Sequence, residues 1–228
     1  MQNKVFCRVA PFALFMAFVG LEEGLRFLAG KGMVNLSPLL LQSFYPVKAL
    51  SVALMLFLLR RNYTEIMGKD LFRPIVLVSA VAAGLGVFAF WIWLDASWAT
   101  IGNPAGFNPN IYADGTVRTI MTAFRLFGAV LVVPVMEELF WRSFLLRYLI
   151  APDFTGVPIG CFSWPSFLIA SLLFGLEHNL IVAGILAGII YNLLLYRTRS
   201  LSSCIIAHAI TNLALGAYVV NTGRWYFW

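Results

Sequence analysis

Phe127-Gly-Ala-Val-Leu-Val-Val-Pro-Val-Met-Glu-Glu-Leu-Phe-Trp-Arg142 is the stretch that decides the fold class. The run is apolar enough to cross a bilayer and stays so to Ile150, yet it carries adjacent carboxylates at Glu137 and Glu138. A charge near a membrane centre costs several kcal/mol unless it is paired or faces water. Glu138 and Arg142 stand four residues apart, the spacing and orientation that favour an ion pair along one helix. Glu137 is rotated by about 100° from Glu138, so its partners must come from elsewhere in the chain.

Working outward, the 228 residues are 61% hydrophobic and 11% charged, against roughly half and a quarter in soluble domains. Mean hydropathy is +0.86. Apolar runs of ~20 residues recur, as membrane-crossing helices require, and the alternating strands of a membrane barrel are missing. The prediction is an all-α, polytopic membrane bundle with a polar intramembrane cavity. Its spans fall at 9–30, 36–59, 74–95, 119–150, 164–180, 181–197 and 203–221. The fourth is longer than a crossing needs, and an eighth span results if it divides near Pro134. Asn179 marks a tight turn or break between the fifth and sixth. Residues 1–118 form an N-terminal three-helix region and 119–228 a core, within one integrated membrane domain.

The net charge of +6 reflects orientation and not nucleic-acid binding. Lys4, Arg8, Arg60, Arg61, Lys69, Arg73, Arg142, Arg147, Arg197 and Arg199 all fall where one set of helix ends is expected, which puts the N-terminus in the cytoplasm. The loop 96–117 carries no Lys or Arg and suits the outer side. Glu22, Glu23 and Arg26 interrupt the first apolar run and no clean cleavage site follows, so it reads as a retained helix and not a signal peptide. Trp225-Tyr-Phe-Trp228 reads as an interfacial aromatic anchor. Cys7, Cys161 and Cys204 form no disulfide framework or metal pair.

Both histidines lie in predicted membrane segments. His178 closes Phe174-Gly-Leu-Glu-His178, and His208 shares a helix face with Asn212 four residues on. Ionisable groups on three spans are tolerable if they converge on a shared hydrated cavity. A carboxylate, two imidazoles and an amide around water suit hydrolysis, with water as nucleophile. Glu177 reads as a peripheral carboxylate. In the N-terminal third, Glu22–Arg26 and Glu23–Lys48 are the expected ion pairs. Along straight rods, Glu137 lies ~27 Å from the outer end of span four and His178 ~21 Å from the inner end of span five. Tilt, a kink at Pro134 or a later start of span five must bring them level.

The order Glu137-Glu138-x-x-x-Arg142, Phe174-x-x-x-His178, His208-x-x-x-Asn212 resembles the CPBP family, which includes the type II CAAX prenyl endopeptidases and related bacterial intramembrane proteases. The resemblance covers residues 119–221. It implies that Glu137 and His178 activate a water, that His208 and Asn212 stabilise the oxyanion, and that Glu138, Arg142 and Phe174 support the site. It implies no cofactor, with a zinc set of Glu137, His178 and His208 as the alternative. The implied partners are membrane lipids and a membrane-anchored or C-terminally processed protein substrate. The implied location is the bacterial inner membrane. The extended N-terminal part resembles the CAAX-protease-related proteins that accompany exosortase sorting systems. A non-proteolytic scaffold or immunity protein on the same fold is the second reading. A transporter is the third, and the internal repeats it would call for are not visible.

Overall fold

In the computed structural model, residues 3–66, 73–102 and 106–228 are described. The apolar runs become seven long helices: α1 Lys4–Gly30, α2 Pro38–Leu59, α3 Pro74–Trp93, α4 Gly115–Tyr148, α5 Trp164–Leu176, α6 Ile181–Thr198 and α7 Leu201–Thr222. No strand occurs among the described residues. Helix starts follow the local chemistry. Asn3 and Asp114 accept hydrogen bonds from the Val5 and Val117 amides, each at 2.9 Å. Ser37 accepts from the Leu40 amide and is followed by Pro38, which has no amide hydrogen to leave unpaired. At the other ends, α6 stops at left-handed Arg199 and α7 at left-handed Gly223.

The helices alternate in direction. One end gathers the start of α1, the end of α2, the end of α4 and the start of α7. There Arg8 donates to both Glu65 carboxylate oxygens at 2.7 and 2.8 Å. The Ser143 hydroxyl also bonds Glu65, and Arg147 donates to Ser143 and to the Val157 carbonyl. Both guanidiniums lie over the Phe154 ring. Tyr63 donates to the Cys7 carbonyl and Ser202 to the Ile66 carbonyl. The opposite end joins α3, the α5–α6 turn and the residues after α7: Ile101 donates to the Asn179 carbonyl at 2.7 Å and Tyr226 to Asp95 at 2.6 Å.

Helices α5 and α6 form an antiparallel hairpin whose backbones nearly touch. A Cβ on Gly175 would sit 2.3 Å from Ile185 Cγ1, and one on Gly188 3.0 Å from the Ser171 Cα. Small residues at such crossings replace the hydrophobic drive that lipid cannot supply.

Several expectations change. Helix α4 runs unbroken and does not divide into two spans. Among the described residues six helices are long and apolar enough to cross a membrane, whereas α5 is a shorter apolar helix. Arg142 is not at a helix end: it is 1% exposed and deep in the bundle, and Arg8 and Arg147 are buried in the network above rather than facing headgroups. Lys69 lies outside the described residues. Lys48 pairs with Glu22 at 2.9 Å and Arg26 with Glu23 at 3.6 Å, the reverse of the expected partners. Glu22 and Glu23 are similar in depth but point about 100° apart, and it is Glu22 that faces α2. Within Trp225–Trp228, part of the aromatic cluster packs inward. Phe227 is buried, and Trp228 packs against Phe107 and lies under the Arg125 guanidinium.

A candidate intramembrane active site

Pro134 dictates the shape of α4 around the carboxylates. It has no amide hydrogen, and its ring crowds the carbonyl four residues earlier. The helix widens into a π-helical turn at Gly128–Val132 just before Pro134; a second π-helical turn, Leu139–Leu145, follows Val133–Glu138. The first turn leaves the Ala129 carbonyl free of the helix ladder, and Asn212 on α7 donates to it at 2.7 Å.

Glu138 is wholly buried. Its Oε1 accepts from Arg142 at 3.2 Å, as the spacing predicts, and also from His208 Nδ1 at 2.9 Å. Arg142 further donates to Asn192 Oδ1 at 3.2 Å and lies over the Phe174 ring, 4.3 Å from its centroid. Asn192 in turn donates to Ser171 at 3.0 Å. Because a carboxylate only accepts, His208 Nδ1 must carry a proton, which leaves Nε2 for the cavity. The His208 ring stacks on Tyr191, whose hydroxyl meets Thr211 at 2.7 Å. Four helices therefore fix one imidazole.

Glu137 is 4% exposed, and its Oε2 has no hydrogen-bond partner. His178 bonds the Phe174 carbonyl through Nδ1 at 2.8 Å. A carbonyl cannot donate, so Nδ1 holds the proton and Nε2 presents a lone pair. The Trp91 edge packs against this ring. Glu137, His178, His208 and Asn212 all line one cavity of about 250 Å³.

The depth conflict disappears when α4 is measured from its other end. Ser166, near the start of α5, donates to the Leu146 carbonyl. From that level Glu137 is nine residues up α4 and His178 twelve residues up α5 and its turn, or ~14 and ~18 Å. The fifth span begins at the level of Leu146, and the surplus length of α4 lies toward its start.

Three features escaped the sequence reading. Glu177 is no peripheral carboxylate: it borders the same cavity and accepts from Trp141 Nε1 at 3.1 Å. The signal was its place beside His178 in the turn. Asn192 and Ser171 were legible only as polar groups inside apolar helices. Arg125 also reaches the cavity wall. Among the described residues no group of three His, Cys, Asp or Glu side chains is disposed to hold a metal ion.

Fold and site together define a polytopic helical membrane protein with a cavity of about 250 Å³ inside the bundle, lined by ionisable side chains. Residues 119–214 match the family model described as type II CAAX prenyl endopeptidase Rce1-like, so this segment is similar to the CPBP, or CAAX protease, family. The segment is less than half of the chain and includes every motif residue from Glu137 to Asn212. No curated protein and no solved structure matches the chain.

Proposed function

We propose that the protein is an intramembrane endopeptidase of the CAAX-protease type that hydrolyses a peptide bond of a membrane-anchored protein. The observation that carries this reading is Glu137: a buried carboxylate with an unpartnered oxygen, on a cavity it shares with both histidines and Asn212. A buried unpaired carboxylate is costly, and a water between Glu137 and His178 Nε2 would offset that cost.

In the reaction, Glu137 takes a proton from this water while His178 Nε2 accepts its second hydrogen and aims the oxygen. The water oxygen attacks the carbonyl carbon, and the C=O electron pair moves onto oxygen. Asn212 has a second amide hydrogen beyond the one given to Ala129. His208, with Nδ1 held by Glu138, donates from Nε2 when the ring carries both protons. These two stabilise the oxyanion. Collapse breaks the C–N bond, and protonated Glu137 returns its proton to the leaving amine. No step passes through a metal.

The basic residues at the end that holds the start of α1 favour a cytoplasmic N-terminus in a bacterial inner membrane. The cavity runs from Glu137 toward Phe227 and Trp228 at the opposite end, so substrate enters from the extracytoplasmic side. That suits the maturation of sorted surface proteins. The test is the purified protein in liposomes with a panel of membrane-anchored peptides, read by mass spectrometry. Fragments should form with the wild type and not with Glu137→Gln or His208→Ala. Normal processing by both variants overturns the proposal.

A further inference from the structure

Among the described residues the cavity wall holds two carboxylates, Glu137 and Glu177, and the proposed reaction uses only the first. Glu177 follows α5 in the turn that carries His178. It makes one hydrogen bond among the described residues: Trp141 Nε1 donates to its Oε2 at 3.1 Å. Its Oε1 has no donor and the side chain has no ion-pair partner among them. The two carboxylates stand on different helices at nearly one depth. Counted from the hydrogen bond between Ser166 and the Leu146 carbonyl, Glu137 is nine residues up α4 and Glu177 eleven up α5 and its turn, ~14 and ~17 Å. The difference is about one residue of extended chain, ~3.3–3.6 Å.

Charge at this level does not cancel. Arg142 is committed to Glu138 at 3.2 Å, and Glu138 also accepts from His208. That leaves Glu137 and Glu177 without an ion pair among the described residues. Glu137 is 4% exposed and has an unpartnered Oε2. Two unbalanced carboxylates inside a membrane bundle are costly. A bound cation offsets one of them and leaves the other as base. The Trp91 and Phe174 rings line the same space and both pack on the His178 ring. Aromatic surface is a second source of attraction for a cation.

We infer that Glu177 is a specificity-determining residue that binds the basic side chain of a substrate residue flanking the scissile bond. This rests on the endopeptidase reading above. The near-equal depth of Glu137 and Glu177 puts that residue within one or two positions of the scissile carbonyl. With Oε2 already accepting from Trp141, Oε1 is the open acceptor. A single acceptor suits the point charge of a lysine ammonium better than the two-pronged arginine fork.

The test is equilibrium binding to the full-length His208→Ala protein, which keeps both carboxylates and removes cleavage. It is run in uncharged detergent with a chelator present, so that no metal ion supplies the positive charge. The probes are N-acetylated, C-terminally amidated apolar heptapeptides whose central residue is lysine, norleucine or glutamate. The net charge of +6 works against nonspecific retention of the lysine peptide. A charge-assisted hydrogen bond predicts about tenfold to hundredfold tighter binding of the lysine peptide than of the norleucine one, with the glutamate peptide weakest. Glu177→Gln, which keeps an acceptor for Trp141, should abolish that preference and leave norleucine binding unchanged. Glu177→Asp should retain part of it. Equal binding of the lysine and norleucine peptides overturns the inference. So does a lysine preference that survives Glu177→Gln, which would assign the charge to Glu137. If His208→Ala does not fold, the same comparison in Asn212→Ala decides. Wild-type protein that cuts the three peptides without favouring lysine overturns the inference and spares the endopeptidase reading. A Glu177-dependent lysine preference with no cleavage by the wild type overturns the endopeptidase reading alone.

Discussion

Replacing Arg142 with methionine removes the cation that faces Glu138 while keeping an apolar side chain of comparable length. Glu138 is wholly buried and its Oε2 has no partner even in the intact network, so the variant leaves His208 as its one hydrogen-bond donor. Removing one member of a buried pair costs about 3–5 kcal/mol. At roughly 2–4 °C per kcal/mol for a chain of this size, the melting temperature should fall by roughly 6–20 °C. Glu138→Gln strands the Arg142 charge instead, relieved in part by Asn192 and the Phe174 face. The double variant Arg142→Met/Glu138→Gln leaves no buried charge at these two positions. Its residual cost is the orphaned Asn192 carbonyl oxygen, about 1–3 kcal/mol. Thermal melts of the four proteins in one detergent give the double-mutant cycle. The double variant should be more stable than Arg142→Met alone, with a coupling of ~3 kcal/mol or more. Additive losses would show that Glu138 and Arg142 are not a mutually neutralising pair.

The N-terminal charges offer a parallel case. Exchanging Glu22 and Lys48 for each other should restore most of the stability that either reversal removes, whereas reversing Glu23, whose side chain is 71% exposed, should shift the melting temperature little. Gly175→Ala places a Cβ 2.3 Å from Ile185 Cγ1 and 2.8 Å from its backbone nitrogen, so it should cost about 1–3 kcal/mol or more by overpacking, read as a melting shift. Asp114 is held below the usual carboxylate range chiefly by the Val117 amide, then by Thr116. A lowered folded-state value means that this cap stabilises α4 above the ordinary carboxylate range, near pH ~4, and is lost as pH falls through the lowered value. Hydrogen exchange at Val117 should therefore be protected at neutral pH and lose protection in acid, and in Asp114→Ala it should be unprotected at both.

The spans were legible because lipid forces backbone pairing into helices and the length of an apolar run then fixes each crossing. The convergence of Glu137, His178, His208 and Asn212 was legible for a related reason, since ionisable groups on three helices cannot all face lipid. Partner choice was not legible. Glu22 and Glu23 have the same depth, and only the packing of α1 on α2 decides which one meets Lys48. Arg8 and Arg147 look like headgroup-facing cations until the 60–66 segment brings Glu65 beneath them. Arg142 was assigned to a helix end because the surplus length of α4 could not be apportioned between its two ends. Trp228 looked like an anchor because nothing local shows that the chain after α7 folds back onto Phe107 and Arg125.

The role of Glu137 as base is tested most directly by single-turnover cleavage of one liposome-anchored peptide by Glu137→Gln, with a thermal melt on the same preparation. The account predicts a melting temperature no lower than that of the wild type, because an unpaired buried carboxylate has been removed. It predicts a rate lower by about 10²–10⁴. A rate within twofold of the wild type would contradict it.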